Sequence, residues 1–324
     1  MAREPGTVEV ADGAPNPRQR APRRASPPAQ WLLFVDTNIL LDFYRLGGES
    51  AERQLKALQK HRGSLILTNQ VWMEFIKNRQ KVITKTLVDF KKPDRIALPP
   101  ILHGMQPAAT LTTQLEAATK THGKVTQKIE AILRDPGNHD PVFRALRKLF
   151  EGDDRYAISR DHPDRIKIRS LARKRHVLGY PPRKDSDISI GDAVNWEWII
   201  HCAKNSDPAP NVMIVSRDGD YGVTVKSESF VNDWLKKEFG ERVNRRRKVQ
   251  LTQKLTSALK VLSETITPED EREEQKIIEE NSLLDVDHII PKLSFTPDQR
   301  AKAQSDYNMF LNLLNTSYKK PIGA

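Results

Sequence analysis

With 324 residues and a formal net charge of +11, the chain is long enough to bury a sizeable core, and its basic balance favours a polyanionic partner. Its lone cysteine, Cys202, excludes an intramolecular disulfide framework and a cysteine-rich zinc site. No apolar run is long enough to span a bilayer and no signal-peptide core follows the first residues, so a cytoplasmic protein without membrane contact is expected.

Residues 1–30 are rich in Pro and Arg and nearly devoid of large apolar side chains. Burial could not offset the entropy of ordering them, and a disordered basic arm is expected. Trp31 to Val35 (WLLFV) is a short apolar run that stops abruptly at Asp36-Thr37-Asn38, the pattern of a buried parallel strand. Helical spacing follows over 39–60 (Ile39, Leu40 and Phe43, then Leu55 and Leu58). A second buried strand is predicted at Ser64–Thr68, and helical spacing returns from Val71 to Arg79. Strand, helix, strand, helix predicts a doubly wound α/β fold.

The middle of the chain, 80–176, predicts a helical insertion or lid. Helical stretches around 84–90, 111–134 and 141–150 are separated by breaks at Pro93, Pro99-Pro100 and Asp135-Pro136. Residues 160–184 are strongly basic, which fits either a solvated helix or a set of phosphate contacts. A loop then leads into an amphipathic helix from about Gly191. Asn211–Ser216 reads as another buried strand, ending in Arg217-Asp218-Gly219-Asp220, and 229–239 as one more amphipathic helix. Beyond lie the basic cluster Arg245–Lys248, a predicted helix over 250–264, an acidic segment and a weakly patterned tail. The expected organisation is an arm (1–30), an α/β domain (31–240) and a helical, charged C-terminal extension (241–324).

Four acids stand where this fold would gather them. Asp36 and Asp218 follow apolar strands, and the carboxyl ends of parallel strands open onto one edge, where ligands bind at the topological switch point. Glu74 lies on the helix after the second strand, and Asp192 at the start of the helix before the strand that leads to Asp218. Carboxylates sharing a cleft repel and raise one another's pKa unless a cation neutralises them. Oxygen ligands without Cys or paired His suit Mg²⁺ or Mn²⁺, and two such ions could hold and hydrolyse a phosphodiester. For each of the three Asp the competing reading is a helix N-cap, and for Glu74 a solvated helix face. Asp220, and after it Asp185, Asp187 and Glu197, are candidate auxiliary acids; Trp196 and Trp198 could stack bases, though at least one suits a core position better.

VDTNILLDFYR, TNQVWMEFIKNR, IGDAVNWEWII and VSRDGDYG resemble, in order, the four acidic blocks of the PIN-like domain family. The resemblance covers about residues 31–240 and implies a three-layer α/β/α PIN-like fold around a central parallel sheet, with a helical insertion and flexible termini. It further implies that Asp36, Glu74, Asp192 and Asp218 bind Mg²⁺ or Mn²⁺, aided by Asp220, and cleave RNA to leave a 5′-phosphate and a 3′-hydroxyl. Asn38 and Ser216 would orient the first carboxylates or the substrate, and Arg183 and Lys184, just before Asp192, would contact phosphates. Members of this kind act as toxins, RNA-processing enzymes or defence components, so an inhibitory or recruiting protein partner is expected. The competing readings are a DNA nuclease on the same fold and a non-catalytic module that binds RNA or protein. A haloacid-dehalogenase-type phosphatase fits poorly, because Asn38 stands where its second Asp is needed.

Overall fold

The computed structural model describes residues 30–94, 96–152, 154–183 and 189–289. The arm over 1–29, Lys184, Asp185, Asp187 and the tail from 290 lie outside the described residues.

In chain order, β1 (Trp31–Val35) leads to the single-turn α1 (Thr37–Leu41), α2 (Gly48–Lys60), β2 (Leu65–Thr68) and α3 (Asn69–Asp89). The helical middle contains α4 (Gln106–Arg134), the short α5 (Pro136–His139) and α6 (Pro141–Phe150). Then come β3 (Ala157–Ile158), α7 (Arg165–Val177), α8 (Gly191–Lys204) and β4 (Asn211–Val215). The chain continues through β5 (Gly222–Val225), β6 (Glu228–Val231), α9 (Asp233–Arg242), β7 (Val249–Thr252), α10 (Leu255–Val261) and α11 (Pro268–Ile289).

Five strands form one parallel sheet in the order β3-β2-β1-β4-β7. The central strand β1 pairs Leu33 with Leu65 of β2 on one side and Phe34 with Ile214 of β4 on the other. Both faces of β1 are covered, which is why WLLFV is apolar throughout rather than alternating: Leu32, Leu33, Phe34 and Val35 are all buried. Each fully buried Leu or Phe contributes about 1.5–3 kcal/mol relative to exposure. Helices α3 and α8 pack on β2 with α7 and α9 against α8, while α10, joined by α2 and α11, covers β1, β4 and β7. The result is a three-layer α/β/α fold. The chain leaves β1 toward β2 in one direction and returns to β4 on the other side, so the switch point falls at the carboxyl end of β1, where Asp36 sits.

Several elements differ from the sequence expectation. The helical run over 39–60 is broken at Gly47, which N-caps α2. The middle region is not purely helical: β3 closes the sheet on the β2 side, paired through Leu67 with Ala157 and Thr68 with Ile158. The segment 229–239 divides into β6, paired with β5 as an antiparallel hairpin, and α9, whose first turn is capped by Asn232 on the Trp234 N–H. Beyond 240, the expected helical extension begins with a strand. β7 pairs with β4 over Val249–Thr252, because Val249 and Leu251 bury an apolar face against the sheet. Among the described residues, no helix is long and apolar enough to cross a membrane.

Candidate active site

Asp36 ends β1 and is 4 % exposed. It is also the N-cap of α1, so the capping and site readings coincide in one carboxylate: Oδ1 accepts from the Thr37 N–H at 2.7 Å. Oδ2 accepts from Asn38 Nδ2 at 2.9 Å and from the Ser216 hydroxyl at 2.6 Å. Burial pushes its pKa up to about 6; the bonds from Ser216 and Thr37 oppose that rise, and the charges of Asp218 and Glu74 add to it.

Glu74 stands one turn into α3, a helix started by Thr68, whose side chain accepts from the Val71 N–H at 3.1 Å. The same Thr68 hydroxyl donates to Asn195 Oδ1 of α8 at 2.7 Å, fixing α3 and α8 side by side. The Glu74 carboxylate accepts from Gln70 Nε2 at 2.6 Å and from the Thr37 hydroxyl at 3.1 Å. Thr37 thus joins the Asp36 and Glu74 neighbourhoods through its main chain and its side chain. The N-terminus of α8 approaches closely because residue 191 is Gly: a Cβ there would lie 2.7 Å from Glu74 Oε1 and 2.8 Å from Gln70 Nε2.

Asp192 lies in the first turn of α8, whose N-cap is Ile190, so capping does not explain this Asp. Asp218 and Asp220 lie in the turn after β4. The Asp218 N–H donates to the Ser216 hydroxyl at 3.0 Å, so that hydroxyl links Asp218 to Asp36. Asp192, Asp218 and Asp220 each offer a carboxylate oxygen, and the three oxygens lie within 4.8 Å of one another. Beneath them is the fully buried Tyr221, whose hydroxyl is held protonated by burial and by the charges of Asp192, Asp36 and Asp218. The neighbouring cation, Arg217, turns away from the acids and pairs with Asp42, which Arg45 also engages at 2.7 Å. An all-oxygen set of this kind fits a hard divalent cation such as Mg²⁺ or Mn²⁺.

The fold therefore places Asp36, Glu74, Asp192, Asp218 and Asp220 at one sheet edge, in two groups. Asp192, Asp218 and Asp220 are close enough to share an ion. Asp36 and Glu74 are set beside them by Ser216, Asn38 and Thr37.

Other expectations resolve differently. Glu197 is no auxiliary acid: it is 3 % exposed and bound to Arg175 and Arg242, with Arg175 Nη2 at 2.9 Å and Arg242 Nη2 at 2.7 Å. Trp196 and Trp198 are both core residues, at 0 % and 1 % exposure, and neither can stack on a base. Arg183 is exposed after α7, with its guanidinium beside Gly179. Sequence reasoning did not single out Thr37, Gln70 or Gly191. For Gln70 the signal was present, since it precedes Glu74 by one helical turn; for Gly191 it was not, since the close approach joins two distant segments.

A family model described as PIN domain matches residues 33–221, more than half of the chain. No curated protein and no solved structure matches it.

Proposed function

The chain belongs to the PIN domain family, whose members are generally nucleases that use divalent metal ions, and from that premise we propose that it is a metal-dependent endoribonuclease. The observation that carries the reading is the convergence of the Asp192, Asp218 and Asp220 carboxylates at the carboxyl edge of the sheet, beside a buried Asp36. These three acids would hold Mg²⁺ or Mn²⁺, which when bound supplies charge neutralisation at a phosphodiester and a more acidic water. The chain's own groups supply rigidity. Asp36 accepts three hydrogen bonds that fix its carboxylate plane, and Glu74 accepts two. Preset carboxylates need no reorganisation when a charged substrate arrives.

The test incubates the full chain with labelled single-stranded RNA and with DNA of the same sequence, in Mg²⁺, Mn²⁺ or chelator, beside Asp192→Asn. Metal-dependent RNA cleavage that the variant loses is the expected result. Faster cutting of the DNA would make the protein a DNA nuclease. RNA binding without cleavage in either metal would leave a non-catalytic binding module and end the hydrolase reading.

A further inference from the structure

Helix α7 carries arginines with opposite fates. Arg175, near its C-terminal end, is 4 % exposed and clamped by Glu197 of α8 and Glu238 of α9. Arg165 and Arg169, one helical turn apart at the other end, are half-buried, and among the described residues neither side chain makes a hydrogen bond or an ion pair. Partly withdrawing a guanidinium from water without giving it an anion is unfavourable, so such a pair calls for a ligand.

Their surroundings say which. Arg165 and Arg169 line a crevice with Asn69, Gln70, Ser159 and Ile168, at the carboxyl ends of β2 and β3 and hence on the same edge as the acids. Across it, Gln70 is the residue that donates to Glu74, so one side chain belongs to both the crevice and the acidic site. Helix α7 packs along α8, which carries Asp192, so arginines and acids are held by one packed pair of helices. The crevice has a volume of about 20 Å³. That is room for about one water-sized group, the size of a phosphate oxygen. Guanidinium forks match phosphate oxygens, and the amides and the Ser159 hydroxyl add neutral hydrogen-bonding groups.

We infer that Arg165 and Arg169 form a phosphate-binding step that holds the nucleic-acid backbone flanking the acidic site and reads no base. This rests on the nuclease reading for its ligand class, but it is tested by binding rather than by turnover. Contacts from guanidinium to phosphate position a strand without specifying sequence.

The experiment measures fluorescence anisotropy of two single-stranded RNA oligomers of unrelated sequence with the full chain in EDTA, across about 50–200 mM salt. Arg165→Gln and Arg169→Gln are each expected to reduce the slope of log affinity against log salt by about 0.7, one phosphate's share on a single strand, and to weaken both oligomers by the same factor. Arg173→Gln, an exposed arginine of α7 outside the crevice, is the charge control and is expected to change the slope less. Arg165→Lys keeps the charge and is expected to keep the slope. Should either glutamine variant not fold, the other carries the comparison. An unchanged slope, or one equal to that of Arg173→Gln, overturns the inference; so does a loss confined to one sequence. A parallel cleavage assay in Mn²⁺ separates the two readings. Slope loss in the glutamine variants of a protein whose wild type never cleaves upholds the crevice and sinks the hydrolase, and wild-type cleavage with unchanged slopes in the variants does the reverse.

Discussion

The Ser216 hydroxyl donates to Asp36 Oδ2 at 2.6 Å across the two central strands, joining residues 180 positions apart in the chain. It also accepts from the Asp218 N–H at 3.0 Å, so one hydroxyl sets the spacing between the first acid and the last pair. Ser216→Ala removes the strongest favourable contact of a buried carboxylate. The pKa of Asp36 then rises further, and the acid limb of the pH–rate profile moves to higher pH with it. Ser216→Thr keeps the hydroxyl and is expected to restore the limb. Identical profiles for wild type and Ser216→Ala would refute this role.

Asp36 makes the metal-free fold sensitive to pH. Its folded pKa of about 6 lies above the ordinary 3.8, so the folded protein holds this proton more tightly than the unfolded chain. Its contribution to stability is fully present below about pH 4 and is lost as pH rises through 6, at most about 3 kcal/mol. Urea denaturation in chelator at pH 4.5 and pH 7.5 should show a decline in wild type that is smaller in Asp36→Asn. Parallel declines in the two proteins would exclude Asp36 as the source.

Gly191→Ala separates stability from activity. Alanine improves helix propensity by up to about 1 kcal/mol at a helical position, yet its Cβ would lie 2.7 Å from Glu74 Oε1. The flexible end of Glu74 can yield, so the fold survives while the carboxylate leaves its place. The expected outcome is an unchanged or raised melting temperature with cleavage reduced at least tenfold. Full activity in this variant would show that the position of Glu74 is unimportant.

The Asp192, Asp218 and Asp220 group should appear in metal linkage without any substrate. A cation at 100 times its dissociation constant stabilises the folded state by about 2.7 kcal/mol. Mn²⁺ is therefore expected to raise the wild-type melting temperature and to do so much less for Asp218→Asn or Asp220→Asn. An equal rise in all three proteins would place the ion elsewhere.

Glu197→Gln tests the buried pair behind the site. It leaves Arg175 short of one of its two carboxylates and Arg242 likewise, at a cost of about 3 kcal/mol. Stability should fall by that order at temperatures where the remaining folded protein cleaves at a near-normal rate. A selective loss of cleavage with stability intact would return Glu197 to the catalytic candidates.

What could be read along the chain was whatever one segment dictates by itself. WLLFV and NVMIV announce central strands because both of their faces are covered, and the polar residues that follow announce the ligand edge. β3 has two residues, and the four-residue β6 and β7 lack the continuous apolar run, buried throughout, that marks the equally short β2. β7 also follows directly on a basic cluster, which conceals its alternation.

At the site, the acids themselves were legible, but their sorting was not. Asp220 reads along the sequence as an auxiliary acid, whereas the turn after β4 brings it together with Asp218 toward Asp192. Glu197 reads along the sequence as an auxiliary acid, and its actual partners come from α7 and α9. Pairings between distant helices leave no local mark in a sequence.

The matched stretch ends at residue 221, but the sheet does not. A fragment cut there would keep every candidate acid and lose β7, leaving β4 as an uncapped, apolar edge with open main-chain groups. Such an edge recruits other chains into intermolecular sheet. Whoever dissects this protein by its family boundaries should therefore meet inclusion bodies rather than a minimal enzyme, and a soluble piece needs the chain through at least α10.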